Sequence, residues 1–207
     1  MCIRDRAYIL SQEMSAVWDF ISVNQYRINT DSDGSHHFKG LHCSIAATSV
    51  AALFSDRTDY IIRYVSETPR NTLNISDETE SEALAAFRGD KNLTEYTSYS
   101  SMNGANYYRY VIPLKMNEGC VSCHGAPVGE IDETGYPKEG LEIGDIVGAA
   151  SISIPLEMHQ AALTDRIATQ AVQLFLAFAA CLLVVYATVT HYVVRRLEKI
   201  EPYIRDV

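Results

Sequence analysis

Basic residues are scarce. The chain of 207 residues carries 17 Lys and Arg against 26 Asp and Glu, a formal charge of -9. That balance excludes the basic face on which a nucleic-acid binder depends. Cysteine is scarce as well: five, irregularly spaced, too few for a disulfide scaffold. The sequence has one C-x-x-C and no H-x3-H pair, so it offers only half of a zinc site. Mean hydropathy is -0.05, which excludes a polytopic membrane protein. Apolar residues are not lacking. They make up 47% of the chain, enough to exclude a disordered one.

One long stretch has no charge at all. The 28 residues between Arg166 and Arg195 contain no Asp, Glu, Lys or Arg. Within them Ala171 to Val194 reads AVQLFLAFAACLLVVYATVTHYVV. About 20 apolar residues in a helix cross the hydrocarbon core of a bilayer, so residues 168–194 are expected to be a transmembrane helix. Its position excludes a signal peptide. After it come Arg195, Arg196 and Lys199 against Glu198 alone. Before it, residues 7–165 hold 10 basic and 22 acidic side chains. Positive residues stay in the cytoplasm. The expectation is an extracytoplasmic domain over 7–165 and a cytoplasmic end over 195–207, in a bacterial cytoplasmic membrane. Export of such a domain needs a preceding signal or span, so further sequence is expected before the domain. Residues 1–6, MCIRDR, have the character of a translated sequencing adapter and are expected to lie outside the native fold.

The domain itself reads as mixed α and β. Ala7 to Asn29 has the helical spacing of Ile9, Leu10, Val17, Phe20 and Ile21. Thr30 to Ser35 is a turn cluster, and Gly40 to Leu53 a second helix of small residues. Glu78 to Arg88 is a short amphipathic helix. Tyr60 to Ser66, Tyr107 to Leu114 and Ile146 to Ile154 are strand-like. Asn117 to Gly144 is a loop. Pro155 permits a new helix that leads into the span. The fold class expected is α+β: a PAS-like antiparallel sheet with long N-terminal helices, followed by one transmembrane helix.

The chemistry lies in GCVSCHG, where Cys120, Cys123 and His124 form C-x-x-C-H. Two thiols at this spacing can each add to a vinyl group of one haem, and the adjacent histidine then sits under the iron. A redox dithiol does not need the histidine. Haem c is attached outside the cytoplasmic membrane, in keeping with the expected topology. One motif means one haem c per chain, which excludes multihaem reductases and wires. For the opposite axial position the sequence offers Cys43, His36, His37, His42, Met14, Met102, Met116 and Met158. A cysteine on an apolar helix is more often inert and buried, and nothing in spacing alone decides among these.

These motifs together resemble a known family. They are FKGLHCSIA around Cys43, YIIRYVS at 60–66, RNTLN at 70–74, YYRYVIPL, CVSCHG and GDIVGAASISIP. Over Ala7 to Ile154 the chain resembles the single-haem, PAS-like sensor domains that precede transmembrane spans in bacterial histidine kinases and related receptors. The resemblance implies a His/Cys pair on the iron, with His124 and Cys43 at the matching positions. With the charges, it places Arg63 and Arg70 near the haem propionates. Thr72 stands where the family's RNPxN motif has proline. The tail VVRRLEKIEPYIRDV spaces Val194, Leu197, Ile200 and Ile204 as a heptad-like seam interrupted by Pro202. It resembles the start of a HAMP linker, which implies a homodimer and an output domain, kinase or cyclase, beyond Val207.

The function expected is therefore the input domain of a membrane receptor that senses redox state or a diatomic gas, with no catalytic residue of its own. The alternative is a membrane-anchored monohaem cytochrome that hands electrons to a redox partner. A peroxidase-like enzyme needs an open iron site, which two axial ligands would close.

Overall fold

The computed structural model describes residues 2–195, with the backbone alone at 158–163, 165, 193 and 194. The HAMP-like tail from Arg196 onward lies outside the described residues. Two compact units are present, Met1–Glu157 and Met158–Val207. Residues 158–165, expected within the extracytoplasmic domain, fall in the second unit.

The first unit is built on helix α1 (Ile3–Ile28), helix α2 (Cys43–Ser55), strand β1 (Ile61–Val65), helix α3 (Glu78–Gly89), strands β2 (Tyr96–Met102) and β3 (Ala105–Lys115), a short helix α4 (Val121–His124) and strand β4 (Ile146–Pro155). The four strands form one antiparallel sheet in the order β1-β4-β3-β2. This is the expected α+β class. Helix α1 starts before Ala7: Cys2 and Asp5 form a capping box, so Ile3 to Arg6 continue the helix. Its buried positions Ala7, Ser11, Met14, Ile21, Ser22 and Gln25 recur at helical spacing along one face.

Strand alternation divides the core in two. On one face Ile62, Tyr64, Tyr108, Tyr110, Ile112, Ile152 and Ile154 pack against Ala7, Met14, Ala47 and Ala51 of α1 and α2. On the other Val65, Val111 and Ala149 pack against Ala83, Leu84 and Phe87 of α3. Phe87 and Leu84 are fully buried, each contributing about 1.5–3 kcal/mol by removal from water.

Strand β2 does not stand out in the sequence because it is polar, TSYSS at its centre. Its signal is the turn that follows. Asn103 and Gly104 take positive φ of 51° and 81° and close a two-residue hairpin with Met102 opposite Ala105. At the far end of β3 the register to β4 shifts between Leu114 and Lys115. Beyond it Met116 N donates to Asp145 O at 2.8 Å and Gly144 N to Met116 O at 2.9 Å. These two bonds close the base of the 117–143 loop, which carries the cysteine motif.

Helix α5 (Leu156–Val189) begins immediately after β4 and is followed by one π-helical turn, Thr190–Val194. Its stretch Arg166–Tyr192 is 27 residues, with a mean hydropathy of 2.3 over its most apolar 18 residues and none of those 18 buried within the protein. This helix is long and apolar enough to cross a membrane. Leu174, Phe175, Leu183 and Tyr186 are about 70% exposed along it, a surface suited to lipid rather than water.

Candidate functional site

The motif lies on a 3-10 turn, Glu118–Cys120, that runs into α4, so Cys123 and His124 fall in one helical turn. Cys120 and Cys123 are buried. Asn117 Oδ1 accepts from Ser22 Oγ on α1 at 3.1 Å and from Cys120 Sγ at 3.2 Å. Gly119 lets the turn lie directly on α1: a Cβ there would sit 2.5 Å from Ser22 Oγ and 2.6 Å from Ser22 O. Ser122 Oγ lies 3.8 Å from the Cys123 sulfur, whose thiol burial nevertheless pushes up.

Helix α2 delivers the third thiol. His42 is its N-cap and Cys43 its first residue. Burial pushes the Cys43 thiol up to about 12, and the neighbouring Cys120 and Cys123 act in the same direction. A helix N-terminus ordinarily favours a thiolate; here burial wins. His42 stacks on Phe38 at 6.1 Å, and burial followed by the charge of Arg70 holds its imidazole below the usual range. Cys120 and Cys123 thus act electrostatically on Cys43, and His124 on the adjacent His42, across some 80 residues of sequence.

His124 is oriented by Glu139. Its Nδ1 is 2.8 Å from Glu139 Oε2, and its carbonyl accepts from Leu141 N at 2.8 Å. With Nδ1–H donated to a carboxylate, the lone pair sits on Nε2, the form that binds a metal.

Arg70 organises the loop. Its Nη1 donates to Asp132 Oδ2 at 2.6 Å and Thr134 Oγ1 at 3.2 Å, its Nη2 to Cys123 O at 2.8 Å and Glu139 Oε2 at 3.1 Å, and its Nε to Glu139 Oε1 at 3.0 Å. Burial alone would raise the Asp132 carboxyl; hydrogen bonds from Thr134 and Arg70 overcome it and hold the group well below the carboxylate range. Glu139 is lowered in the same way, burial being outweighed by Arg70 and His124. Asn71 caps the neighbouring 3-10 turn by accepting from Leu73 N at 3.0 Å, so the turn forms with Thr72 at the position of the family's proline.

Arg63 is placed elsewhere. Alternation along β1 turns it away from Ile62 and Tyr64 and toward α3. There its Nη1 donates to Glu80 at 2.8 Å and its Nη2 to Ile75 O at 2.6 Å. Among the other candidate ligands, His36 pairs with Glu133 at 2.9 Å and stacks on Tyr26, and His37 faces Asp31 at 4.0 Å. Met14 is in the core, Met102 Sδ contacts Arg109, and Met116 is buried at the loop base. The side chain of Met158 lies outside the described residues. Glu139, Asp132 and Ser22 carry no motif signal; only folding brings them to the cysteines.

Among the described residues no three His, Cys, Asp or Glu side chains are grouped to hold a bare ion. A haem asks for less from the chain, two thioether links and one ligand on each face of the ring. The residues gathered here fit that demand.

No curated protein matches the chain significantly. Among solved structures, that of the cyanobacterial haem protein Tll0287 is similar, with a TM-score of 0.55 and 14% sequence identity, covering 75% of this chain and 97% of that one. At that identity the likeness is one of fold. The sequence profile of the Tll0287-like family matches residues 2–155, all of the α+β unit but its first residue and its last two. By that match the chain is a member of the Tll0287-like family.

Proposed function

We propose that the chain is the haem c input domain of a membrane-anchored bacterial receptor, a sensor of redox state or of a diatomic gas. The observation that carries the reading is the C-x-x-C-H turn itself, with Cys120 and Cys123 buried, a His124 whose Nδ1 is already engaged by Glu139, and Cys43 near enough for both cysteines to act on its thiol. Cys120 and Cys123 hold the ring covalently. His124 Nε2 and the Cys43 sulfur would be the iron's two protein ligands. Leu41 and Ile45 flank Cys43, and Val121 lies inside the motif; all three are apolar and between 38% and 48% exposed, surface that a flat macrocycle covers. Bound there, haem would supply a one-electron couple and an affinity for small diatomic ligands.

The Cys43 thiol gives the switch its physical basis. Burial opposes its ionisation, so as a thiolate it depends on the positive charge of ferric iron. With that charge reduced, burial would favour the neutral Cys43 thiol over the thiolate. Signal leaves through β4, the strand paired to both β1 and β3, which passes into α5 without a linker. The domain lies outside the membrane and the chain end inside, following the charges. The receptor forms a homodimer through its membrane helix. A carrier requires none of these.

The test is Cys43→Ala in protein matured with cytochrome c machinery. Haem remains covalently attached, the ferric spectrum leaves the low-spin thiolate type, and the reduction potential rises. An unchanged ferric spectrum and potential would remove Cys43 from the site.

A further inference from the structure

We propose that Glu139 is a positioning residue that sets how strongly His124 donates to iron, with Arg70 as its counterweight. The inference rests on the reading of Cys120, Cys123 and His124 as a haem c site. Four groups form one chain of contacts: Asp132, Arg70, Glu139 and His124. Arg70 spends two donors on Glu139, one on each carboxylate oxygen. Glu139 Oε2 also takes the Nδ1–H of His124. The main chain of His124 is fixed independently through Leu141, so the Glu139 contact is not needed to hold the backbone of α4 in place.

An imidazole that donates Nδ1–H to a carboxylate gains negative character and becomes a stronger donor through Nε2. A stronger donor favours the ferric state and lowers the potential. Arg70 pulls the other way. It draws the negative charge of Glu139 toward itself and adds a positive charge near the iron. Removing Glu139 and removing Arg70 therefore move the potential in opposite directions. A role confined to holding the loop predicts no such opposition.

The test uses the full chain, haem-loaded in detergent, with Glu139→Gln and Arg70→Gln. Gln at 139 keeps an acceptor for Nδ1–H without the charge. Glu139→Gln should stay low-spin by ferric electron paramagnetic resonance, with shifted g-values, and its midpoint potential should rise. Arg70→Gln should lower the midpoint. Glu139→Ala gives a second arm should Arg70→Gln fail to fold: with acceptor and charge both gone, its upward shift exceeds that of Glu139→Gln. An unmoved midpoint and spectrum in Glu139→Gln overturns the inference, as does a shift of the same sign in Glu139→Gln and Arg70→Gln, or a Glu139→Ala shift no larger than that of Glu139→Gln. Haem staining of the same samples separates the two levels. Covalent haem in all of them with an unmoved midpoint sinks only the role of Glu139; no covalent haem in the wild type sinks the haem site and the inference together.

Discussion

Arg109 and Arg70 each bind two carboxylates, in opposite settings. Arg109 is on the central part of β3, its side chain 2% exposed, and it pairs with Asp77 at 2.8 Å and Glu80 at 3.1 Å beneath α3. Glu80 is fully buried and also receives Arg63. Every partner belongs to a strand, a helix or the residue that caps it. Arg70 is outside the regular elements, its side chain 20% exposed, and its partners are Asp132 and Glu139 of the irregular loop and Cys123 O in the single turn of α4. The same chemistry thus does two jobs. The first network ties α3 to the sheet and holds the frame. The second gives fixed geometry to a segment that has almost no secondary structure of its own, and that segment carries the cysteine motif.

The largest effect is expected in the frame. Arg109→Met leaves Glu80 buried with Arg63 as its remaining cation. Breaking a buried pair from one side costs about 3–5 kcal/mol, and Arg63 keeps the loss near the lower bound. Urea unfolding followed by circular dichroism should show it. A loss under about 1 kcal/mol would mean that the α3 network is as dispensable as a surface pair.

In the loop, Asp132→Asn should cost about 1–3 kcal/mol by weakening bonds to a half-buried Arg70, read as faster proteolysis between residues 126 and 141. Its pH dependence sharpens the contrast. The Asp132 carboxyl is lowered in the fold, so its stabilisation is complete above the ordinary aspartate pKa of about 4. It is lost as pH falls through the lowered value. The gap between wild type and Asp132→Asn should stay flat above about pH 4 and close only in stronger acid. A gap that opens between pH 5 and 7 would point to a different group.

Gly119→Ala tests how the loop is seated on α1. A Cβ 2.6 Å from the Ser22 carbonyl forces the backbone apart at a cost of about 1–3 kcal/mol and should lower the yield of haem attachment while α3 stays intact. Normal yield and stability would show that the seat is loose. The smallest effect belongs to the β2–β3 hairpin. Gly104→Ala places a side chain at φ 81°, costing about 1 kcal/mol. It should fray edge strand β2 by hydrogen exchange without touching the ferric spectrum.

The frame was more legible in the sequence than the site. Ile62, Tyr64, Tyr110 and Ile152 sit in apolar strands whose period is visible, and the Ala-rich run of α2 reads as a close-packed helix. Strand β2 hid behind serines and threonines, although Asn103-Gly104 marked its turn. The motif was readable because Cys120, Cys123 and His124 fall within five residues. Glu139 was not, because a carboxylate in an acidic loop resembles its neighbours until folding lays it against His124 Nδ1. Arg63 shows the limit of a shared motif: it lies close to Arg70 in sequence, yet alternation along β1 turns it toward α3 and Glu80.

The most direct test of the central claim is the mass of the denatured, acid-extracted polypeptide after expression with cytochrome c machinery. The wild type should carry the added mass of one haem, located by peptide mapping to the segment holding Cys120 and Cys123, and Cys120→Ser/Cys123→Ser should carry none. A wild-type chain at its bare polypeptide mass would contradict the account.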